Sequence, residues 1–509
     1  MTTRKLVTLL LALCMVLTML PAAMAEEDLS QYRITDEPVK IILVRSDNSN
    51  QPMQLDSPTL KRIEEITGVT LEIQAIAGSD FSTKTEMLIA TQAEYDIMYD
   101  CYYVANYAGQ GAFLNIDEYL NPETMPNIKK LFDENPDMYK LYIDGALYQL
   151  PVMSRYAYRM GRSPQIRQDL LAETGLAVPT TWDELYEVLK AIKAAHPEVY
   201  PIGNRNGTGN LFTCYAYPFG TGDGVYWEPT EQTYKFGALS EEYITLIQWL
   251  ANAYADGILD PDYAVATSTQ WQERLASGQN VFFYDNPTFA TNFNGALAST
   301  TPGAYFGPIE VPSTGKLQRG LFYPKHDMGA TVISADTKYP EICCKLMDFL
   351  YSDYGCTLTN FGIEGESFAY NAEGEPEILD SAVADYMTAS DPMRAFFGKY
   401  SLAKLGIARY IDDRDQDKFI TEEAANWYAT WGSWAFMNEP VLDPAFTTEE
   451  NEELAELKTS VNDILTMNYD AFIMGNRPVS EWTQVQDQIR ANAERICEIY
   501  NAAAARTAR

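Results

Sequence analysis

Residues 39–76 read "VKIILVRSDNSNQPMQLDSPTLKRIEEITGVTLEIQAI", and the alternation within them sets the architecture. "VKIILV" (39–44) is a short apolar run rich in β-branched residues, which has the length of a buried strand. "SPTLKRIEEITG" (57–68) places Ser57 at an N-cap, Pro58 at the first helical position and Gly68 just past the end, the punctuation of a helix. "VTLEIQAI" (69–76) is a second strand, "DFSTKTEMLIATQ" (80–92) a second helix and "YDIMYD" (95–100) a third strand. Strand–helix–strand–helix–strand over so few residues implies a parallel sheet with helices on its faces. Ligands of such sheets bind beyond the carboxyl ends of the strands. Those ends carry "RSDNSN" (45–50) and "CYYVANY" (101–107).

A second α/β region follows. "TWDELYEVLKAIKAAHP" (181–197) is a helix opened by a Thr181–Glu184 capping box. "SEEYITLIQWLANAYADG" (240–257) is another amphipathic helix, and "WQERLASGQNVFFYDNP" (271–287) reads as helix, turn and a short buried strand ending at Asp285–Asn286–Pro287. "HDMGATVISADTKYPEICCKLMDFLYS" (326–352) is a strand running into a helix, and from about Asp380 the chain reads as helical.

The chain of 509 residues begins with Arg4 and Lys5, an apolar run over 6–20 and "PAAMA" (21–25), the three parts of a secretory signal peptide with cleavage expected after Ala25. Cys14 follows Leu13 rather than a small residue, and the apolar run continues past it, so a lipid anchor is not expected. The formal charge of −34 argues against nucleic acid, anionic membranes and polyanionic ligands in general, because the long-range field repels them. It leaves room for a local basic pocket. The cysteines beyond Cys14 form no C-x-x-C pair and no regular framework. There are 34 tyrosines, a surplus that suits stacking on sugar faces and equally suits a large core.

Chemical motifs are scarce. Only two histidines occur, His196 and His326, and His196 ends a helix, which leaves a His-based zinc site without ligands. No nucleophile elbow, phosphate loop or dinucleotide fingerprint is present. "DDRDQDKF" (412–419) starts like a calcium loop at Asp413, Asp415 and Asp417. It then has Lys418 where Gly is required and Ala424 where a bidentate Glu is required, so no calcium is expected. Catalysis by two carboxylates needs no local motif, which keeps a secreted carbohydrate-active enzyme as the rival reading.

Taken in order, several segments resemble the extracellular solute-binding proteins of sugar-type ABC importers, in particular a large-bodied subgroup. They are "IRQDLLAETGLAVPTTWDELYEVLKAIK" (166–193), "NFGIEGESFAYNAEGEPEI" (360–378) and "FIMGNRPVSEWTQVQDQI" (472–489), and "GQGAFLNIDEYL" (109–120), "DGALYQLPV" (144–152) and "DGILDPDYA" (256–264) also fall in the family's order. The resemblance implies an α/β, two-lobed periplasmic-binding-protein-like fold with an interlobe hinge and a helical C-terminal third. Expected divisions are a signal peptide (1–25), an N-terminal linker (26–37), lobe 1 (38–152, with 332–367 returning to it) and lobe 2 (153–331, with 368–509 returning to it). It implies an exported monomer that binds a mono- or oligosaccharide, hands it to ABC permease subunits and performs no chemistry, with no cofactor. A peptide or other solute on the same scaffold is the remaining alternative. Many members carry a calcium loop after the helix that here ends at His196; this chain has "PEVYPIGNRNG" (197–207), and calcium is not carried over.

The resemblance also implies site residues. "RSDNSN" matches a first-strand loop that bonds sugar hydroxyls, giving Asp47 and Asn48. "YDIMYDCYYVANYAGQG" (95–111) gives Asp100, Tyr102 and Tyr103, with a plain surface loop as the competing reading. "NLFTCYAYPFGTGDG" (210–224) gives Tyr215 or Tyr217, and "FFYDNP" (282–287) gives Asp285 and Asn286. "NWYATWGSW" (426–434) holds three of the eight tryptophans, Trp427, Trp431 and Trp434, at i, i+4 and i+7 on one helical face. Trp427 matches an aromatic platform over the cleft, and Trp431 and Trp434 are expected in the core.

Mass spectrometry of exported protein tests the leader. An unmodified mature chain starting at Glu26 is expected, and a diacylglyceryl-modified Cys14 would contradict it.

Overall fold

The computed structural model of the protein describes residues 28–47, 53–155, 161–386, 392–420 and 422–507; the signal peptide and Asn48 lie outside them. The opening motif folds as its sequence demands. Strand Val39–Asp47 pairs in parallel with Val69–Ala77 over nine residues and with Ile97–Met98 on its other side. Between them, helix Pro58–Thr67 ends at Gly68, whose φ of 78° only glycine adopts freely and whose N–H reaches Glu64 O. Ser57 stands at the N-cap without capping; its hydroxyl donates instead to Lys399 O at 2.5 Å.

The first sheet has six strands, in the order 410–411, 150–154, 326–333, 97–98, 39–47, 69–77. All run parallel except His326–Ile333, which is antiparallel to both of its neighbours. A buried core forms around Ile41, Leu43, Ile97, Phe132, Leu150, Met347 and Ile407. The second sheet is smaller: Ser163–Arg167 lies between Phe282–Asp285 and Phe306–Pro308, antiparallel to each. Its core contains Trp182, Phe219, Trp249 and Tyr284, with Trp182 stacked on Phe219 at 4.4 Å between ring centroids. Trp182 begins helix Trp182–Ala195, whose capping box joins Thr181 and Glu184 as the sequence predicts, and His196 occupies its C-cap. Two 26-residue helices, Thr448–Ile473 and Trp482–Thr507, form a hairpin on this core.

Two expected boundaries move. The segment 26–37 is not merely a linker: Leu29, Tyr32 and Ile34 pack on the first core, and Ile34 N bonds Thr67 O. The stretch 368–411, expected with the second lobe, belongs with the first sheet. Tyr410–Ile411 pairs with Leu150–Ser154, and the backbone carbonyls of Lys399 and Tyr400 accept from Ser57 and Thr59. A two-residue strand has no periodicity to mark it in sequence. The helical expectation from Asp380 holds for the two long C-terminal helices, whereas 380–447 is a mixture of short helices, turns and strands.

The chain passes between the sheets after Ser154, before His326 and after Ile411. Gly161 on the first passage bridges Phe322 on the second, and a Cβ there would lie 2.0 Å from Leu321 O. Gly161→Ala is therefore expected to cost ~1–3 kcal/mol, read from urea midpoints. Gly209→Ala, with nothing within 4 Å of the added Cβ, should leave the midpoint nearly unchanged.

Candidate functional site

Both sheets present charged residues at the carboxyl ends of strands. On the first, Asp47 ends Val39–Asp47 and pairs with Arg45 at 3.1 Å. Burial pulls the Arg45 guanidinium below its ordinary pKa, and the Asp47 charge works against that. Asp100, just beyond Ile97–Met98, has φ of 56°, a left-handed conformation that Asp tolerates better than most residues. Its carboxylate pairs with Arg409, which precedes the strand Tyr410–Ile411. Tyr102 is 68% exposed and packs edge-on to Phe81, while Tyr103 exchanges a hydrogen bond with Ser82 at 2.7 Å.

On the second, Asp285 ends Phe282–Asp285 and is 3% exposed. Ile202 bridges Phe282 in parallel, so Arg205, three residues on, reaches the same strand end. Its Nε and Nη2 donate to the two Asp285 oxygens at 2.7 and 3.1 Å, a bidentate fork. The guanidinium lies over Trp271 and Phe289, 5.5 and 5.1 Å from their centroids. Burial opposes the Arg205 charge, but the hydrogen bonds and charge of Asp285 outweigh it and raise its pKa. Beside the pair, burial pushes the Cys214 thiol far up, which makes it an inert group rather than a nucleophile.

The expected residues divide. Tyr215 is a correction: it is 2% exposed and packs against Trp182, Trp249 and Tyr284, because it lies on the inner face of helix Gly209–Tyr215. Tyr217 is half-buried, with the Arg319 guanidinium 4.2 Å from its ring centroid. Both oxygens of Asp285 are taken by Arg205, and Oδ1 also accepts from Asn286 N, so Asp285 holds Arg205 in place. Trp427 is half-buried on the cluster of Trp271, Phe283 and Phe306, the one that carries the ring beneath Arg205. Trp431 is 1% exposed, as expected. Trp434 departs from the expectation: helix Glu422–Gly432 ends before it, and it is only half-buried, stacked on Phe436 at 5.3 Å. The arginines were not singled out in the sequence. Arg45 directly follows an apolar run and Arg205 stands three residues past Ile202, and that position was their only signal.

Tyr102 also borders a groove of about 470 Å³ between the two cores, where Tyr142, Lys140 and Asn106 face Phe446, Asp443 and Lys458. The acidic loop 412–419 is held by side-chain cations. Arg414 grips Asp412 at 2.7 Å, and Lys404 lies 2.5 Å from Asp413 and 3.5 Å from the fully buried Asp415, whose carboxyl burial pushes up to about 7. Among the described residues, no group of three or more His, Cys, Asp or Glu is placed to hold a metal ion, and no helix is long and apolar enough to cross a membrane.

Two α/β cores joined by three chain passages, with polar and aromatic groups at the strand ends of each, define a two-lobed protein. The bacterial extracellular solute-binding protein family matches residues 49–355, and the chain belongs to that family. It is 24% identical over 467 residues to the fructooligosaccharide ABC transporter substrate-binding protein FusA of Streptococcus pneumoniae, covering 84% of this chain and 83% of that one. It is 24% identical over 311 residues to the polygalacturonan/rhamnogalacturonan-binding protein YtcQ of Bacillus subtilis, covering 57% and 59%. The crystal structure of the alginate-binding protein AlgQ2 without calcium ion superposes with a TM-score of 0.78 at 20% identity, over 94% of this chain and 99% of that one.

Alanine substitutions separate the tryptophans. Trp431→Ala should lower stability by ~3–5 kcal/mol, as truncation of a buried ring does, and leave the affinity of the folded fraction intact. Trp427→Ala should weaken ligand binding by ~1–3 kcal/mol, the size of a lost stacking contact or hot spot, with a smaller loss of stability. Thermal melts and titration with a bound glycan read both.

Proposed function

We propose that the protein is an exported, unlipidated monomer that captures an oligosaccharide between its two lobes and delivers it to an ABC permease without altering it. The observation that carries the reading is the pairing of rigid hydrogen-bonding groups with half-buried or exposed rings at the strand ends of both cores. Asp47, Asp100 and Arg409 face the ligand from the first lobe, with Tyr102 and Tyr103 beside them. Arg205, Asn286, Tyr217 and Trp427 face it from the second. Rings cover the apolar faces of a sugar while charged and amide groups bond its hydroxyls. A ring covering roughly 150–250 Å² at ~25 cal/mol/Å² contributes several kcal/mol before ordering costs. Two or three such contacts suffice for micromolar affinity, about −8 kcal/mol.

The lobes are 29–155 with the returning 326–411, and 161–322 with 437–507. Closure about the three passages would bury the ligand. The family and its relatives favour binding over catalysis. Locally, the strand-end carboxylates Asp47, Asp285 and Asp100 are engaged by arginines, which suits a binding role.

Calorimetric screening of purified mature protein against glycans, followed by mass spectrometry of the bound sugar, tests this. Recovery of an unchanged ligand that raises the melting temperature is expected. Protein-dependent depletion of the glycan or new reducing ends would make it an enzyme.

A further inference from the structure

The strand-end arginines each have a carboxylate, with one exception. Arg45 has Asp47, Arg409 has Asp100, Arg205 has Asp285 and Arg319 has Glu228. Arg162 is half-buried, has no ion-pair partner among the described residues, and its Nε is buried without a hydrogen-bond partner. Its place in the fold is defined on both sides. Gly161 before it bridges Phe322 at the passages between the lobes, and Ser163 after it lies opposite Asp285 in the second sheet. Arg162 therefore stands at the hinge end of the cleft, next to the Arg205–Asp285 fork. The two guanidinium charges converge: both act on the Cys214 thiol and on the Tyr323 hydroxyl, opposing the effect of burial there. Arg205 spends Nε and Nη2 on Asp285, and its Nη1 enters no hydrogen bond among the described residues.

A guanidinium does not shed its proton to escape such a position, so an unpaired, partly buried arginine costs the free protein stability. Asp223 lies within electrostatic range of Arg162 but forms no ion pair with it, so the guanidinium keeps its donors unengaged in a chain whose net charge is −34. Those unengaged donors, with the partnerless Nε, are what a carboxylate ligand would take up in a planar, bidentate contact. Resting on the oligosaccharide reading above, we propose that the ligand is an acidic glycan, and that Arg162 with Arg205 Nη1 reads the carboxylate of a uronate residue at the hinge end of the cleft. The named proteins differ in ligand: FusA is a fructooligosaccharide-binding protein, YtcQ a polygalacturonan/rhamnogalacturonan-binding protein and AlgQ2 an alginate-binding protein. Arg162 makes the choice in this chain.

The test compares galacturonate, mannuronate and guluronate oligomers of three and four units with the same oligomers after their carboxyls are reduced to alcohols. Calorimetry should find an acidic oligomer that binds about tenfold or more tightly than its reduced form, the difference one charge-assisted pair makes. Arg162→Gln should erase that preference while the melting temperature holds or rises, because an unpaired charge is removed. Arg162→Lys should keep part of the preference. Equal binding of acidic and reduced oligomers, or a preference that survives Arg162→Gln, overturns the inference and leaves the oligosaccharide reading standing. An Arg162→Gln protein that fails to fold makes Arg162 a structural group and also overturns the inference. Binding of no glycan, acidic or neutral, overturns both readings.

Discussion

One five-residue strand, Leu150–Ser154, ties the molecule together. It lies between His326–Ile333 and Tyr410–Ile411, so all three passages of the chain between the lobes meet at its carboxyl end. Ser154 N bonds Lys325 O, Met153 N bonds Arg409 O and Arg155 N bonds Ile411 O. The first bond joins the first passage to the second, the other two join the first to the third, and none can be lost without leaving a backbone group unpaired next to the core. The two cores are large and separate, but they are joined through this narrow ladder. The passages approach most closely where Gly161 crosses Leu321, since a Cβ at Gly161 would lie 2.0 Å from Leu321 O.

The same geometry explains why arginines gather where they do. Asp47, Asp100 and Asp285 all follow buried strand residues, and a carboxylate there needs a partner that stays charged. Arginine supplies one with a flat fork that also lies on aromatic rings, as Arg205 does on Trp271 and Phe289. Buried ion pairs of this kind add little net stability compared with apolar packing. Their value is position: each fixes donors at a strand end before any ligand arrives, so that less ordering is left to binding.

The fold was readable from the sequence wherever an element was long enough to show a period or carried its own punctuation. The strand–helix–strand run from Val39, the Thr181–Glu184 box and the strand–helix unit from His326 are such elements. The returning segment 368–411 was not readable, because it is assigned to the first lobe by a two-residue strand and by side-chain bonds to carbonyls such as Lys399 O. The site was readable only as loops. Which side of a loop or short helix a residue faces is decided by packing: Tyr215 turns into the core while Tyr217, two residues later, lies against Arg319. Trp434 shows the same limit, since its i+7 spacing means nothing once the helix stops at Gly432. Arg205 sat in "GNRNG", a stretch that reads as a turn, and only the parallel bridge of Ile202 to Phe282 brings it to Asp285.

Under the proposed function, the separation of the two cores carries a thermodynamic consequence. A ligand that touched one lobe alone would bind the open and closed arrangements equally and shift nothing. Closure requires contacts made to both lobes at once, so the groups that matter most are those nearest the hinge, where the facing surfaces converge first. Arg162 is such a group: it sits on the passage itself, beside a fork rooted in the second sheet and within a few residues of the ladder that ends the first. An anion held there would join the second lobe to the hinge at the start of closure, and the rings farther out, Trp427 on one side and Tyr102 on the other, would then close over the apolar faces of the sugar chain.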